Sequence, residues 1–478
     1  MNSIKVSRYD SINDIKKEEW DFIVSENQIL NSYGYLKAIE DAKINNNEVK
    51  YRYFLFYINN KLIANATVVI FDSSMPSSPE NKRGLIEKLF PNLLKIKFIE
   101  SGFPTAIGNA INIKDEKYLQ EIIELFDKEL IQLAKEEKTS LIIIRDITTY
   151  ERKKFDFLFT RKYKIALNFP DTLLKVAHSS FADYLSDLNS KRRHEIKHHL
   201  KIFAEKNCTV EKIYYFSSYC EDLYKLWHNT YSKAKDYQRE ILTVDYFRNI
   251  ANLLKEKAFI LLCKKEGKPI GFTMFIENKN TLISTYCGLD YDYTKECHTY
   301  FVLFYKSIEE TITQKKKYLE LGVTNYNPKI EIGAIPEPVF IYGKSTNPFF
   351  NLFFVNLLKM INTSPSFNKR HIFNSRYYKR FDAKNKIFAL IENKEFLISD
   401  ISWEGIGLET DFPLKLNKKL DVRIFDEDHF GLEVKCKVLS VNKKDDSKWR
   451  IGLQQIKLNN EYLHSWNNIV SRFEINES

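Results

Sequence analysis

The chain has 478 residues, of which 44% are hydrophobic, and 73 Lys and Arg against 63 Asp and Glu give it a formal net charge of +10. This length predicts about two to four domains, and 14 Gly and 12 Pro are too few for a low-complexity protein. The positive charge is spread along the chain. That distribution favours an anionic partner, such as a nucleotide, a coenzyme or an acidic membrane face, and argues against a dedicated DNA-binding arm.

The six cysteines form no Cys-x-x-Cys pair and no compact framework, which is typical of reduced thiols in a cytosolic protein. The N-terminal residues 1–5 lack the apolar core of a signal peptide. The most apolar window, residues 348–361, carries Asn351, Asn356 and Lys359 and is too short and too polar to span a bilayer. We therefore expect a cytoplasmic location.

Residues 1–165 predict a first α/β unit. Residues 1–50 look mainly helical, and the apolar period then changes to two, so that residues 51–58, the turn Asn59-Asn60 and residues 62–71 predict a β-hairpin. Residues 117–135 follow as an amphipathic helix, and the Leu-Ile-Ile-Ile run within residues 140–145 predicts a buried strand.

Residues 166–345 repeat this order and predict a second unit. Its predicted elements are strands at 258–264, 270–277 and 281–287, a helix at 298–314 and a strand at 318–322. Hairpin, helix and strand thus occur twice, which indicates two copies of one α/β architecture. Residues 346–369 are apolar almost all round a helix and predict a buried connector; the alternative is peripheral contact with a membrane.

Several phrases in residues 1–345 point to one family. They are Ser180-Phe181-Ala182-Asp183-Tyr184-Leu185, Leu188–Lys197, Gly288-Leu289-Asp290, Glu320-Leu321-Gly322 and Tyr326-Asn327-Pro328-Lys329. On these phrases the segment resembles the tandem GNAT-like acyltransferases related to the Fem peptidoglycan ligases. The resemblance implies an amine acceptor and an acyl donor. The Gln/Arg-x-x-Gly-x-Gly/Ala loop that holds coenzyme A pyrophosphate in GNAT enzymes is not found, so the donor stays open between acyl-CoA and another carrier such as aminoacyl-tRNA.

Two groups of residues are candidates for that chemistry. Lys191, Arg192 and Arg193 could hold a phosphate-bearing donor, or they could be the solvated side of a surface helix whose apolar side faces inward. Glu320, Tyr326 and Lys329 are polar residues expected at a cleft beside a central strand. There a carboxylate could act as general base to an attacking amine and a tyrosine could donate to the leaving group, unless these residues are structural.

The phrase His194-Glu195-Ile196-Lys197-His198 matches the His-Glu-x-x-His pattern of zinc proteases literally. Its surroundings oppose a dication, because Lys and Arg residues flank it on both sides. We expect no metal site here.

The most specific pattern lies near the C-terminus. Arg376 and Arg380 form Arg-x-x-x-Arg, and Asp400, Ser402 and Gly405 form Asp-x-Ser-x-x-Gly about twenty residues later. An Arg fork can bind guanine O6 and N7 or clamp a phosphate, while glycine allows close approach of the backbone. The alternative is a basic turn followed by a tight turn between strands. With both motifs in order and alternating strands after them, residues 370–478 resemble the PilZ family of cyclic di-GMP receptors.

The PilZ resemblance implies a cyclic di-GMP site at these five residues. The predicted fold class is α+β: two GNAT-like α/β units (1–165 and 166–345), the connector (346–369), and a six-stranded antiparallel PilZ β-barrel (370–478) with a C-terminal helix at 461–473. The predicted function is a bacterial, cytoplasmic cyclic di-GMP effector that regulates an N-acyltransferase-like module. The alternative is a non-catalytic signalling adaptor that acts through protein partners. No DNA partner is expected.

Overall fold

The computed structural model describes residues 3–45, 48–74, 95–234, 240–352, 381–383, 387–402, 405–426, 432–444, 447–457, 466 and 469. Arg376 and Arg380 lie outside these residues, as do most of the predicted connector and C-terminal helix. The contact pattern divides the chain into two units. Unit 1 is Met1–Leu185, Ser190–Thr324 and Val339–Asn362, and unit 2 is Ser186–Asn189, Asn325–Pro338 and Thr363–Ser478.

The elements before residue 350 are short strands and helices that alternate along the chain. The strands are β1 (Lys5–Tyr9), β2 (Val49–Ile58), β3 (Lys61–Ser74), β4 (Lys95–Ser101), β5 (Ile111–Ile113), β6 (Leu141–Thr148), β7 (Lys164–Leu167), β8 (Asp171–Lys175), β9 (Cys208–Tyr214), β10 (Ala258–Lys265), β11 (Lys268–Glu277), β12 (Thr281–Leu289), β13 (Tyr318–Glu320), β14 (Ile335–Glu337) and β15 (Val339–Ser345). The α-helices are α1 (Lys17–Asp21), α2 (Tyr33–Asp41), α3 (Leu119–Glu136), α4 (Thr149–Phe155), α5 (Phe181–Asp187), α6 (Ser190–Glu205), α7 (Cys220–Lys233), α8 (Val244–Leu254), α9 (Tyr291–Thr294), α10 (Thr299–Thr313) and α11 (Tyr326–Ile330).

The first sheet of unit 1 runs in the order β1-β2-β3-β4-β6-β15-β7, with β5 beside β3. The predicted hairpin is β2 and β3, and Asn59 and Asn60 both have positive φ, as a two-residue type I′ turn requires. Helix α3 buries Ile122, Phe126 and Leu130 against this sheet because they fall on one helical face. The sheet is antiparallel except for β4 and β6, which run parallel.

The second sheet of unit 1 contains β8-β13-β12-β11-β10-β9 in that order. It repeats the pattern of the first, because β12 and β13 are its parallel pair and helix α10 precedes β13 as α3 precedes β6. The prediction of two GNAT-like α/β units is confirmed by this architecture. Glu100 on β4 and Glu320 on β13 both lie near the carboxyl ends of parallel strands, where side chains from neighbouring loops converge.

One strand of the first sheet comes from the later part of the chain. β15, which follows the strands of the second sheet in the sequence, lies between β6 and β7 of the first sheet and is antiparallel to both. The second sheet needs no such strand, because β8 to β13 follow one another within residues 171–320 and β8 pairs antiparallel with β13. Only the first sheet is therefore completed by a strand from the other part of the chain.

One apolar core is common to both halves of unit 1. Helices α2 and α8 pack there, and their buried side chains include Tyr35, Leu36, Tyr246 and Phe247. Burial of such side chains is the main stabilising term for a contact of this kind. The polar groups described below lie at the edge of this core.

Unit 2 contains a closed antiparallel barrel. Its strands are β16 (Phe381–Asp382), β17 (Ile387–Ile391), β18 (Lys394–Ser402), β19 (Gly405–Thr410), β20 (Lys419–Asp426), β21 (Leu432–Lys443) and β22 (Trp449–Lys457). The ring β17-β20-β21-β22-β19-β18 closes because β18 pairs with both β17 and β19, and β16 adds to β18 outside the ring. The predicted six-stranded antiparallel barrel is confirmed. Trp466 and Ile469, from the region predicted as a C-terminal helix, are buried in its core.

Candidate functional site

The residues predicted for acyl transfer lie on three separate elements, α6, β13 and α11. Arg192 pairs with Glu195 at 3.0 Å on α6, where Lys191 is exposed and Arg193 is half-buried. Glu320 ends β13 and acts electrostatically on Tyr35, whose pKa is raised mainly by burial and also by this carboxylate. The remaining two candidates, Tyr326 and Lys329, are both buried on the short helix α11, which belongs to unit 2.

A buried ion cluster lies at the ends of the parallel strands β4 and β6. The Nη1 of Arg145 is 3.3 Å from Oε1 of Glu100, and its Nε is 2.8 Å from Oδ2 of Asp146. The three side chains are at most 7% exposed. Gly102 makes room for them, because a Cβ there would lie 2.6 Å from Cγ of Arg145. Asn168 fixes the other oxygen of Asp146 with a 2.8 Å hydrogen bond.

A second polar group lies in the same unit, where the two halves meet. The hydroxyl of Tyr286 on β12 donates to Oε1 of Glu240 at 2.6 Å and lies 3.2 Å from the carbonyl of Thr105. The Thr105 hydroxyl is 2.8 Å from the hydroxyl of Tyr35 on α2. We call Glu240, Tyr286, Thr105 and Tyr35 the Glu240 cluster.

Hydrogen bonds to the first half hold Glu240 in position. The next residue, Ile241, donates its N–H to Oδ1 of Asn45 at 2.5 Å and accepts from the Asn45 N–H at 2.9 Å. Thr243, the N-cap of α8, donates its hydroxyl to the Ala42 carbonyl at 2.7 Å. These bonds fix the segment that carries the carboxylate against the end of α2.

Burial controls the electrostatics of both groups. It raises the pKa of Glu100 to about 7 against the opposing effect of Arg145, and it raises the pKa of Asp146 as well. Burial also raises the pKa of Glu240 to about 7, although the Tyr286 hydrogen bond and the charge of Arg145 act in the other direction. Carboxyls that titrate near neutral pH are suited to proton transfer under physiological conditions.

The zinc-protease phrase lies on α6. His194 and His198 are exposed, and Glu195 is engaged by Arg192. The described part of the chain contains no group of three His, Cys, Asp or Glu side chains arranged to hold a metal ion. Among the described helices, none is both long enough and apolar enough to cross a bilayer.

In the barrel, Asp400, Ser402 and Gly405 lie at the β18–β19 hairpin. The Asp400 carboxylate is 7% exposed, pairs with Nη2 of Arg450 on β22 and accepts from the Ser399 hydroxyl at 3.0 Å. The Ser402 hydroxyl donates to the Gly405 carbonyl at 3.3 Å. The hairpin thus places an acid, a hydroxyl and a half-exposed guanidinium on neighbouring strands.

The close approach of β22 requires a glycine at position 405, whether or not a ligand binds there. A Cβ at this position would lie 1.9 Å from the Leu453 carbonyl oxygen on β22. We expect Gly405→Ala to destabilise the barrel by about 1–3 kcal/mol, because two strands must move apart to accept the methyl group. Chemical denaturation of the whole protein measures this. Gly34→Ala is the control, since its Cβ would meet nothing nearer than 3.4 Å; equal stability of both variants would contradict the assignment.

Sequence reasoning missed the Glu240 cluster and the partner of Asp400. Arg450 was visible in the sequence only as part of a strand, and the Glu240 cluster joins four residues that are far apart along the chain. One signal was available for the ion cluster, because Arg145 and Asp146 directly follow the apolar run 141–144 within β6. Charged residues at the end of a buried strand often mark a site at a sheet edge.

Comparison with solved structures finds distant similarity over part of the chain. FemX is 11% identical, with a TM-score of 0.48, and the match covers 72% of this chain and 99% of that one. A tandem GNAT protein from the clavulanic acid biosynthesis pathway is 9% identical, with a TM-score of 0.44 over 72% of this chain and 99% of that one. YcgR from Escherichia coli, in complex with c-di-GMP, is 11% identical with a TM-score of 0.20, covering 46% of this chain and 76% of that one. Likenesses at these levels say nothing about substrate or activity.

Among curated proteins, the chain is similar to a putative 8-amino-7-oxononanoate synthase 2 of Mycobacterium tuberculosis. The two are 26% identical over 327 residues, which is 66% of this chain. The chain spans 42% of the length of that relative. A family model named FemAB_like and described as peptidoglycan biosynthesis/recognition matches residues 84–372, which is more than half of the chain. The chain therefore belongs to the FemAB-like family.

Proposed function

We propose that the protein is a cyclic di-GMP-regulated acyltransferase in which unit 1 transfers an acyl or aminoacyl group to an amine. The observation that carries the transferase assignment is the Glu240 cluster, in which a carboxylate with a pKa of about 7 is held beside the Tyr286 and Thr105 oxygen atoms. Such a group can accept a proton from an amine near neutral pH. Membership of the FemAB-like family supports the same class of reaction.

The donor is an acyl-CoA or another activated acyl carrier. Lys191, Arg192 and Arg193 are proposed to contact its phosphates, and Glu320, Tyr326 and Lys329 stay proposed as catalytic residues. Incubation of the whole protein with acyl-CoA species and primary amines tests the reaction through release of free thiol. Aminoacyl-tRNA with the same amines tests the other class of carrier. Transfer from at least one donor is expected, and absence of transfer from both classes would contradict the transferase assignment.

The regulatory ligand is proposed to bind at the barrel through Arg376, Arg380, Asp400, Ser402 and Gly405. The spacing of the two motifs supports this, as does the position of Asp400 beside Arg450 at the β18–β19 hairpin. A carboxylate can accept the guanine N–H groups, and guanidinium groups can hold the phosphates. A cytoplasmic location belongs to this proposal.

Calorimetric titration of the whole protein with cyclic di-GMP tests the site. We expect Arg380→Ala and Asp400→Asn each to weaken binding at least tenfold, because each removes a charge-assisted contact worth about 1.5–3 kcal/mol. Arg423→Ala is the matched control, since Arg423 is an exposed arginine on β20 of the same barrel. Binding that survives both site substitutions, with a normal melting transition, would reject the assignment.

A second candidate is a non-catalytic adaptor that binds cyclic di-GMP and acts through protein partners. The observation that favours it is the missing Gln/Arg-x-x-Gly-x-Gly/Ala loop, since that loop holds the donor pyrophosphate in GNAT enzymes. Thermal shift with acyl-CoA species and aminoacyl-tRNA separates the two candidates. Cyclic di-GMP binding without stabilisation by any donor favours the adaptor.

A further inference from the structure

Glu240 has a carboxylate oxygen that the surrounding protein leaves unused. Its Oε1 accepts from Tyr286 at 2.6 Å, whereas Oε2 is buried and has no hydrogen-bond partner among the residues that the structure describes. A buried acceptor without a donor lowers stability, so native proteins keep few of them. Glu240 as a residue is half-buried, so other atoms of the residue reach the surface although Oε2 does not.

We propose that Oε2 of Glu240 binds the nitrogen of a primary amine substrate and accepts a proton from it. This inference rests on the proposed acyl transfer, and it assigns the group that selects and deprotonates the acceptor. Glu240 would then take the general-base role that the sequence suggested for Glu320.

The surroundings of Oε2 match the chemistry of an ammonium group. The Tyr286 hydroxyl contacts the carboxylate and lies 3.2 Å from the Thr105 carbonyl, and the Thr105 hydroxyl contacts that of Tyr35. These oxygen atoms can accept from an ammonium group, which has three N–H donors to satisfy. The Tyr246 hydroxyl is buried near Tyr35 and Thr105 without a hydrogen bond of normal geometry to a described residue.

Among the described residues, no cationic side chain forms an ion pair with the Glu240 carboxylate. The guanidinium of Arg145 influences Glu240 through its charge, but it contacts Glu100 and Asp146. A negatively charged ligand would be repelled by Glu240, and an apolar one would leave its oxygen without a donor. A ligand with N–H or O–H donors satisfies both requirements, and a positive charge strengthens its hydrogen bond to the carboxylate.

The proposed reaction moves two protons from the nitrogen and replaces one bond of the acyl carbon by another. The ammonium form of the substrate gives one proton to Glu240 and becomes the neutral amine. Its nitrogen attacks the acyl carbon, a C–N bond forms, and the bond from that carbon to the donor's sulfur or oxygen breaks. The second proton lost by the nitrogen passes to the leaving sulfur or oxygen. The raised pKa of Glu240 suits the first of these transfers.

Amine binding gives a test that does not depend on finding the acyl donor. Titration calorimetry compares propylammonium with 1-propanol, which has the same carbon chain and no charge, against the whole protein at pH 8. We expect the wild type to bind propylammonium at least tenfold more tightly than 1-propanol. Glu240→Gln should abolish that preference while it keeps the shape of the side chain.

Two further variants make the result specific. Glu256→Gln is the matched control, because Glu256 also accepts a hydrogen bond from a tyrosine, Tyr215 at 2.8 Å, but on the exposed surface. Tyr286→Phe removes the donor to Oε1 and should raise the pH at which propylammonium begins to bind, since that hydrogen bond lowers the pKa of Glu240. Tyr286→Phe also keeps the inference testable if Glu240→Gln does not fold.

The outcomes separate this inference from the proposed function. If the wild type shows no preference for propylammonium, or if Glu240→Gln retains it, the role of Glu240 is wrong, whether or not transfer occurs. An unchanged pH midpoint in Tyr286→Phe also counts against it. If the preference depends on Glu240 but no donor supports transfer, the amine site stands and the transferase assignment fails.

Discussion

Arg145→Met is expected to lower the free energy of unfolding by about 3–5 kcal/mol, because it leaves two buried carboxyls without their cation. Glu100 and Asp146 are at most 7% exposed, so water cannot take over the role of the guanidinium. Methionine keeps much of the volume of the side chain, which limits the contribution of a cavity. Equilibrium denaturation of the whole protein, with both unfolding transitions fitted, measures the change.

Two controls identify the cause of this effect. Arg8→Met breaks the partly exposed pair with Glu136 at 2.9 Å and should cost no more than about 1 kcal/mol. Combining Arg145→Met with Glu100→Gln and Asp146→Asn should restore part of the loss, because neutral amides tolerate burial better than unpaired carboxylates. A loss below about 1 kcal/mol for Arg145→Met would show that the ion cluster is not needed for stability.

Glu100 and Glu240 are also expected to make unit 1 less stable as the pH rises from 5 to 8. Glu100 and Glu240 have pKa values of about 7 in the folded protein, against an ordinary value of 4.5. Between these values the folded state binds more protons than the unfolded state, so the free energy of unfolding falls with rising pH. Each such group lowers the free energy of unfolding by about 3 kcal/mol once it is ionised in both the folded and the unfolded state.

Denaturation at several pH values tests this, with Glu100→Gln as the informative variant. Its fall in stability between pH 5 and 8 should be smaller than that of the wild type by about 3 kcal/mol. Glu136→Gln is the control, because the Arg8 hydrogen bond lowers the pKa of Glu136 and its removal cannot reduce the fall. A wild-type curve that rises over this range, or a Glu100→Gln curve parallel to it, would contradict the prediction.

The sequence predicted the elements whose signals are local. The hairpin around Asn59 and Asn60 and the amphipathic helix α3 depend on turn chemistry and apolar spacing within a few residues. Strand β1 was not predicted, because residues 5–9 are mostly half-exposed and are fixed by pairing with β2 some fifty residues later. Edge strands of this kind have little apolar alternation to reveal them.

The candidate site was harder to predict than the fold for a similar reason. Tyr35, Thr105, Glu240 and Tyr286 are individually ordinary residues, and only the packing of the two halves brings their oxygen atoms together. Glu320 lies at the last residue of β13, within the strand predicted at residues 318–322. Its proposed catalytic role stays a prediction.

The placement of β15 in the first sheet has a consequence for how the protein is made. β15 ends at Ser345, so the first sheet lacks its strand between β6 and β7 until most of the polypeptide has been synthesised. The edges of β6 and β7 therefore stay unpaired during synthesis until β15 has left the ribosome. Unpaired strand edges of this kind are prone to aggregation. The first half is therefore not a separable module, and a gene fragment that ends before β15 would leave the first sheet incomplete.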